Sequence, residues 1–171
     1  MKYVNLRILL LCSLSLFISR TTQAQDEKFK AVFIYNFIKY IKWPDQEGSF
    51  EILVLGNTPL INEITALSAK KTAANKPIEI VKINAADEIK SGQIIFIPNS
   101  KTDMLPEILQ KARDKNLLII TERPNACKNG SCINFIDKNG KLSFEISKSN
   151  ITSTGLEVNS GLLTMGIPVE N

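Results

Sequence analysis

The chain of 171 residues contains no histidine. Its absence excludes the Ser-His-Asp and Cys-His arrangements of hydrolytic enzymes, because both need an imidazole as general base. It also excludes metal sites that include histidine ligands. The strand-to-helix turn VLGNTP has a single glycine and matches neither phosphate-binding fingerprint. The sequence therefore gives no indication of an enzyme, a cofactor or a metal centre.

Acidic residues do not form a recognisable catalytic pair either. They are scattered along the chain, and most are expected to be solvated or to cap helices. The acidic candidates are Asp87, Glu88, Asp103, Glu107, Asp114, Glu122, Asp137 and Glu145.

Residues 1–24 have the pattern of a secretory signal peptide. Lys2 and Arg7 form a basic start, and residues 8–18 (ILLLCSLSLFI) are an apolar run. This run is too short to be a stable transmembrane anchor. We therefore predict cleavage between Ala24 and Gln25, followed by a single domain over residues 25–171.

The mature chain lacks a strong charge excess. Three of the 21 basic residues, Lys2, Arg7 and Arg20, lie in the leader, so 18 basic residues remain beside 17 acidic ones. A nearly balanced charge indicates no basic surface, and nucleic acid is not expected as a partner.

Two cysteines, Cys127 and Cys132, remain after cleavage. An even pair in an exported protein favours a disulfide across the intervening KNGS turn. The alternatives are a metal site or a redox couple. A metal site lacks further ligands, and a redox couple usually has two residues between its cysteines rather than four.

The stretch Lys28–Pro44 (KFKAVFIYNFIKYIKWP) is predicted to be a central helix that its proline ends. At 100° per residue most of its apolar residues form one wide arc, with Lys30 as an outlier, whereas Val32 and Tyr35 fall among the polar residues. Two interpretations stay open. The arc packs entirely within the domain, or another subunit or a regulatory target covers part of it, namely Phe29, Phe33 and Tyr40.

The remainder of the chain predicts an α/β fold. Continuous apolar strands alternate with helices, which favours a mostly parallel central sheet flanked by helices. Asn139-Gly140 then predicts an antiparallel C-terminal hairpin. The expected strands are 50–55, 78–83, 93–97, 117–121, 133–136 and 142–146, and the expected helices are 59–69, 103–115 (with Asp103 as N-cap) and 148–154.

Several blocks, taken in order, resemble the YfiR-like family of periplasmic regulators. The resemblance extends over nearly all of residues 27–163. The blocks are AVFIYNFIKYIKWP, FEILVLGNTP, QIIFIPNS, LLIITERPNAC and CINFIDKNGKLSFEISKSNITSTGLEVNSGLL. One departure is Gly161, where many relatives carry a serine or another polar residue.

The resemblance implies a secreted bacterial protein without catalysis. Its best understood members repress an inner-membrane diguanylate cyclase by holding the periplasmic sensing domain of the cyclase inactive. An outer-membrane partner captures the repressor, and the output is cyclic di-GMP-dependent adhesion and biofilm formation. Such members form homodimers and carry two disulfides. Only Cys127 and Cys132 correspond to one of these pairs, so redox control through the other is not expected.

Two functions follow as hypotheses. The first is a periplasmic regulatory protein that controls a membrane-bound signalling protein, a sensor or a diguanylate cyclase, by direct contact. The alternative is a periplasmic small-ligand-binding module that feeds a sensor kinase.

Overall fold

The first described element is the helix α1. A computed structural model describes residues 25–170 of the chain, except residues 46 and 114, and α1 covers residues 25–40. The predicted signal peptide and Ala24 lie outside the described residues, whereas Gln25 lies in α1. Cleavage between Ala24 and Gln25 therefore stays a prediction.

The helix α1 ends earlier than the sequence predicted, at Tyr40. The next two residues form strand β1 (Ile41–Lys42), which pairs antiparallel with strand β9 (Glu157–Val158). The backbone N–H of Asn159 donates to the Tyr40 carbonyl at 2.9 Å. This bond satisfies one of the acceptors that a helix leaves open at its C-terminus. A distant strand, and not the proline, thus ends α1.

The other strands form one eight-stranded sheet in the order β10-β8-β7-β6-β5-β2-β4-β3. The five consecutive strands β4, β2, β5, β6 and β7 run parallel to one another, which confirms the mostly parallel sheet. The strands are β2 (Phe50–Leu55), β3 (Thr72–Ala73), β4 (Lys76–Ile83), β5 (Ile94–Ile97), β6 (Leu118–Thr121), β7 (Ile133–Lys138), β8 (Lys141–Ile146) and β10 (Ile167–Pro168).

The burial of the central strands agrees with a parallel arrangement. Every residue of β5 and β6 is buried, as expected for central strands that elements cover on both faces. The covering helices are α1, α2 (Leu60–Ser68), α3 (Leu105–Lys111), α4 (Lys148–Ser153) and α5 (Ser160–Met165), together with short 3₁₀ helices at Ala86–Glu88, Asn99–Met104 and Cys127–Asn129.

The prediction that Asp103 caps a helix reaching residue 115 was wrong. Asp103 lies inside a 3₁₀ helix, and α3 begins two residues later, at Leu105. The carboxylate of Asp103 pairs with Arg123, which follows β6, instead of with a helix N-terminus. A tertiary ion pair therefore replaces the local cap.

The C-terminal hairpin has the predicted turn. Strands β7 and β8 pair antiparallel, and Asn139 and Gly140 join them with φ values of 57° and 75°. Positive φ at both central residues defines the turn type that suits the strand twist. The Gly140 N–H donates to Asp137 Oδ1 at 2.8 Å, which fixes the turn further.

Candidate protein interaction surface

Most of the apolar arc of α1 packs inside the protein. Phe37 is fully buried, and its ring centroid lies 5.0 Å from that of Phe144 and 6.0 Å from that of Phe135. Phe33 is half-buried against the same two rings, and Tyr40 is half-buried against the core. For these residues the structure agrees with packing within the domain.

Phe29 differs from the rest of the arc, because 47% of it is exposed. Val32, three residues further along the same helix, is 42% exposed. Residues three apart are neighbours on a helix surface, so the two side chains form one apolar patch. Of the predicted interface residues, Phe29 is therefore openly available, whereas Phe33 and Tyr40 lie at the margin of the core.

The helix α5 packs against the C-terminal end of α1. Gly161 brings α5 close to α1, because a Cβ added there would lie 3.3 Å from Tyr40 Cε1. The other end of α5 is followed by Gly166, which packs against Phe144 so tightly that an added Cβ would lie 2.4 Å from its ring. A side chain at position 161 would therefore press on Asn159 Oδ1 and on the ring of Tyr40.

Met165, the last residue of α5, is 51% exposed. Within the described residues, Phe29, Val32 and Met165 are the large apolar side chains that solvent reaches. All three lie on α1 and α5, which contact each other at Tyr40 and Gly161, and we call this surface the α1–α5 face. Exposed apolar side chains on packed helices are typical of protein contact sites.

A charged cluster lies beside the α1–α5 face. Lys30 Nζ is 2.9 Å from Glu27 Oε1 and 2.6 Å from Glu122 Oε2. The other oxygen of Glu122 accepts the backbone N–H of Asn99 at 3.0 Å. The cluster therefore ties α1 to the segments that follow β6 and β5, at the carboxyl edge of the sheet.

The cluster is largely buried. The side chains of Lys30, Glu27 and Glu122 are 12%, 8% and 19% exposed. Burial acts to lower the pKa of Lys30, but the hydrogen bonds to Glu122 and Glu27 outweigh it, so the pKa is raised. The ammonium form of Lys30 is therefore stabilised, as the two adjacent carboxylates require.

Sequence reasoning did not identify this cluster. Lys30 was recognised only as an outlier in the apolar arc, and Glu122 only as one of several scattered acids. The position of Lys30 within the apolar arc could have predicted the cluster, because a charged side chain among core positions needs a buried partner of opposite charge.

The two cysteines lie at either end of a tight turn. Cys127 begins a 3₁₀ helix and Cys132 precedes β7, and both are buried free thiols. Burial raises the pKa of Cys127, with smaller contributions from Glu145 and Cys132, and raises the pKa of Cys132 to about 12. The disulfide stays a prediction.

Hydrogen bonds hold this turn in place. Asn150 Nδ2, on α4, donates to the carbonyls of Cys127 and Ser131 at 2.7 and 2.8 Å. Ser131 Oγ in turn lies 2.9 Å from Thr121 Oγ1, on β6. The turn is therefore fixed from two sides, which favours a structural role for the pair over a reactive one.

We expect protein purified from the periplasm without reductant to contain the Cys127–Cys132 disulfide. Its intact mass should be lower by residues 1–24 and by two hydrogen atoms. Alkylation in denaturant should add no label, whereas prior reduction should expose two thiols. Two labelled thiols without reduction would contradict the disulfide, and a mass that includes residues 1–24 would contradict cleavage at Ala24.

The side chain of Lys101 lies at the position where ligands commonly bind in parallel sheets. The strand order has a switch point between β2 and β5, and ligands usually bind outside the carboxyl ends there. Gly56 follows β2 at this point, and Lys101 lies across it, with Cε 3.2 Å from an added Cβ. The methylene groups of Lys101 therefore lie over the turn VLGNTP.

A cavity of about 510 Å³ lies at the opposite edge of the sheet, where the parallel strands begin. The rings of Trp43 and Phe50 form part of its wall and meet nearly at right angles, with centroids 5.1 Å apart. The indole N–H of Trp43 donates to the Ile38 carbonyl at 2.8 Å. This bond fixes the ring that closes the cavity.

The described part of the chain has neither a metal-binding cluster nor a membrane-spanning helix. Residues 25–170, without 46 and 114, contain no group of His, Cys, Asp and Glu side chains suited to a metal ion. Among the same residues, no helix has the length and apolarity needed to cross a membrane.

A family model described as YfiR/HmsC-like matches residues 27–166. The chain belongs to the YfiR/HmsC-like family. Membership supports, at the level of the family, a periplasmic regulatory role in cyclic di-GMP signalling. The YfiR/HmsC-like family is a regulatory and non-catalytic one.

The fold is also similar to a solved structure. A crystal structure of a conserved domain protein from Vibrio cholerae O1 biovar eltor matches with a TM-score of 0.54 and 10% sequence identity. The match covers 84% of this chain and 60% of that chain, so it concerns the fold alone. No curated protein has a significant sequence match to this chain.

Proposed function

We propose that this protein is a non-catalytic periplasmic regulator that binds an inner-membrane signalling protein, a diguanylate cyclase. Through this contact it modulates cyclic di-GMP-dependent adhesion or biofilm formation. The family match over residues 27–166 is the observation that carries the proposal. An outer-membrane partner that captures the regulator, and a homodimer as its active form, belong to the same proposal.

The α1–α5 face supports a mechanism by contact. Phe29, Val32 and Met165 expose apolar surface on two packed helices. Covering such surface stabilises a complex by about 25 cal/mol per Å² of apolar area removed from water, less the cost of association. Binding at this face can change the conformation of the partner without a chemical reaction. If the regulator binds one conformation of the partner more tightly than another, it shifts the equilibrium between them.

The test is recovery of the partner from cross-linked membranes with tagged protein expressed in its native host. We expect an inner-membrane protein with a cyclase domain, and we expect deletion of the gene to change cyclic di-GMP and surface attachment. Phe29→Ser should reduce recovery about tenfold, as truncation of a central contact residue does.

Lys70→Ser, a change at an exposed residue after α2, is the matched control and should leave recovery unchanged. Both variants should unfold within about 0.5 kcal/mol of the wild type, since surface substitutions have small effects on stability. The proposal fails if no membrane partner is recovered and deletion has no effect on cyclic di-GMP.

The 510 Å³ cavity favours a second candidate function, a small-ligand-binding module that feeds a sensor kinase. Its volume is within the range of about 300–1,000 Å³ that small-molecule sites have. A ligand that binds only the native state raises the unfolding temperature. A metabolite screen should then find a stabilising compound, and Thr72→Trp, which fills the cavity from an exposed rim position, should abolish the shift. A screen without any stabilising compound would contradict this function.

A further inference from the structure

Negative charge exceeds positive charge at a small cavity beside α1. Asp26, Lys30, Glu122 and Asp137 line this cavity, whose volume is about 200 Å³. Glu27 lies directly behind Lys30, with Oε1 2.9 Å from Nζ. Four carboxylates thus surround one ammonium. The remaining walls are the apolar side chains of Phe135, Ile136 and Leu142.

The pairing within the cavity leaves carboxylates available. Lys30 is already bound to Glu27 and Glu122, and Asp26 and Asp137 have no ion-pair partner within the described residues. Glu27 Oε2, moreover, is buried and lacks a hydrogen-bond partner in the same part of the chain. A buried carboxylate oxygen without a partner is rare and costly, and an added cation nearby lowers that cost.

The cavity continues into the α1–α5 face. Asp26 and Phe29 lie three residues apart on α1, so they are neighbours on its surface. Phe33, in the next turn, has its ring 6.2 Å from that of Phe135 in the cavity wall. A ligand in the cavity therefore borders the exposed side chain of Phe29, and Val32 is the next neighbour of Phe29 along the surface of α1.

We propose that the cavity and the α1–α5 face together dock a basic and apolar segment of a partner protein. A lysine or arginine side chain of the partner enters the cavity between Asp26 and Asp137, and a neighbouring apolar side chain covers Phe29 and Val32. This proposal rests on the proposed function as a contact regulator, and it names the chemistry of the segment that is recognised.

The size of the cavity favours a protein side chain over a free amine. A volume of about 200 Å³ is below the range of about 300–1,000 Å³ for small-molecule sites. A free polyamine would also leave Phe29 and Val32 exposed, whereas a peptide segment covers both features at once. Complementary charge next to an apolar contact fixes the orientation of a partner and speeds its association.

The probe is a fluorescent eight-residue peptide of alternating arginine and leucine, titrated against the mature protein. Two further peptides, with glutamate in place of arginine and with serine in place of leucine, are the controls. We expect binding of the arginine–leucine peptide alone, weakened strongly when salt rises from about 0.05 M to 0.5 M. Arginine amide, as a free cation, should not compete at equal concentration.

The variants separate the two parts of the surface. Asp26→Asn with Asp137→Asn removes both charges, and the amide oxygen at position 137 retains the bond from the Gly140 N–H. This double variant and Phe29→Ser should each weaken peptide binding about tenfold or more. Glu79→Gln with Glu107→Gln, two exposed acids outside the cavity, should bind as the wild type does.

The outcomes distinguish this inference from the proposed function. Peptide binding that neither variant weakens, or no binding, overturns the docking inference. Undiminished recovery of the membrane partner by the Asp26/Asp137 double variant also overturns it, while the proposed function stands. Variant-sensitive peptide binding without any membrane partner supports the docking surface and contradicts the proposed function.

Discussion

Phe37→Ala is expected to lower the free energy of unfolding by about 3–5 kcal/mol. The side chain is fully buried, and its ring packs on Phe33, Phe135 and Phe144. Truncation removes these contacts and leaves a cavity between α1 and the C-terminal hairpin, which the rigid sheet cannot collapse to fill. Urea unfolding followed by circular dichroism measures the loss.

Phe29→Ala is the matched control for Phe37→Ala. Both residues are phenylalanines on α1, but Phe29 is 47% exposed. Its truncation should change stability by no more than about 0.5 kcal/mol. A loss below about 1 kcal/mol for Phe37→Ala, or equal losses for the two variants, would contradict the placement of α1 on the sheet.

Lys30→Met is expected to lower the free energy of unfolding by on the order of 3 kcal/mol at neutral pH. The methionine has a similar length but removes the positive charge between Glu27 and Glu122, two largely buried carboxylates. Those carboxylates then lack their counter-ion, and the unpaired negative charge destabilises the folded state. Chemical unfolding at constant ionic strength provides the measurement.

The same change gives a defined dependence on pH. The pKa of Lys30 in the folded protein is raised. Its ion pairs therefore contribute fully from neutral pH up to the unfolded pKa of about 10.4, and the contribution is lost as pH rises through the folded pKa. The deficit of Lys30→Met against the wild type should therefore stay constant from neutral pH to about pH 10 and shrink at higher pH, because the wild type then loses the charge of Lys30 as well.

Lys42→Met is the matched control for Lys30→Met. Lys42 also pairs with a glutamate, Glu157, at 3.2 Å, but the side chains are 75% and 73% exposed. Exposed pairs contribute about 0–1 kcal/mol, so this variant should remain close to the wild type at every pH. A Lys30→Met deficit that is as small, or that does not shrink above about pH 10.4, would show that the charged cluster does not stabilise α1.

Local sequence predicted the sheet well because its signals are local. Four-residue apolar runs such as Ile94–Ile97 and Leu118–Thr121 are long enough for a buried strand and too short for a helix. Asn139-Gly140 predicted the hairpin for a similar reason, since few residues adopt positive φ without strain. The family could also be recognised from ordered sequence blocks, and the match over residues 27–166 confirms it.

The two helix boundaries that were predicted incorrectly from the sequence depend on partners that are distant along the chain. The helix α1 stops at Tyr40 because β9 pairs with the residues after it. The α3 region starts at Leu105, and Asp103 turns to Arg123. Neither partner is within reach of a local pattern, and tertiary contacts override local propensity at such positions.

By itself, the sequence determined that this protein has a mostly parallel sheet, a C-terminal hairpin and a helix near residue 30 with an unusually wide apolar arc. The tertiary structure alone decided how that arc is divided. It covers Phe37, leaves Phe29 open, and surrounds Lys30 with carboxylates from 3 and 92 residues away. The physical reason is that helical periodicity gives the direction of each side chain, whereas burial and charge pairing depend on which distant segment lies in that direction.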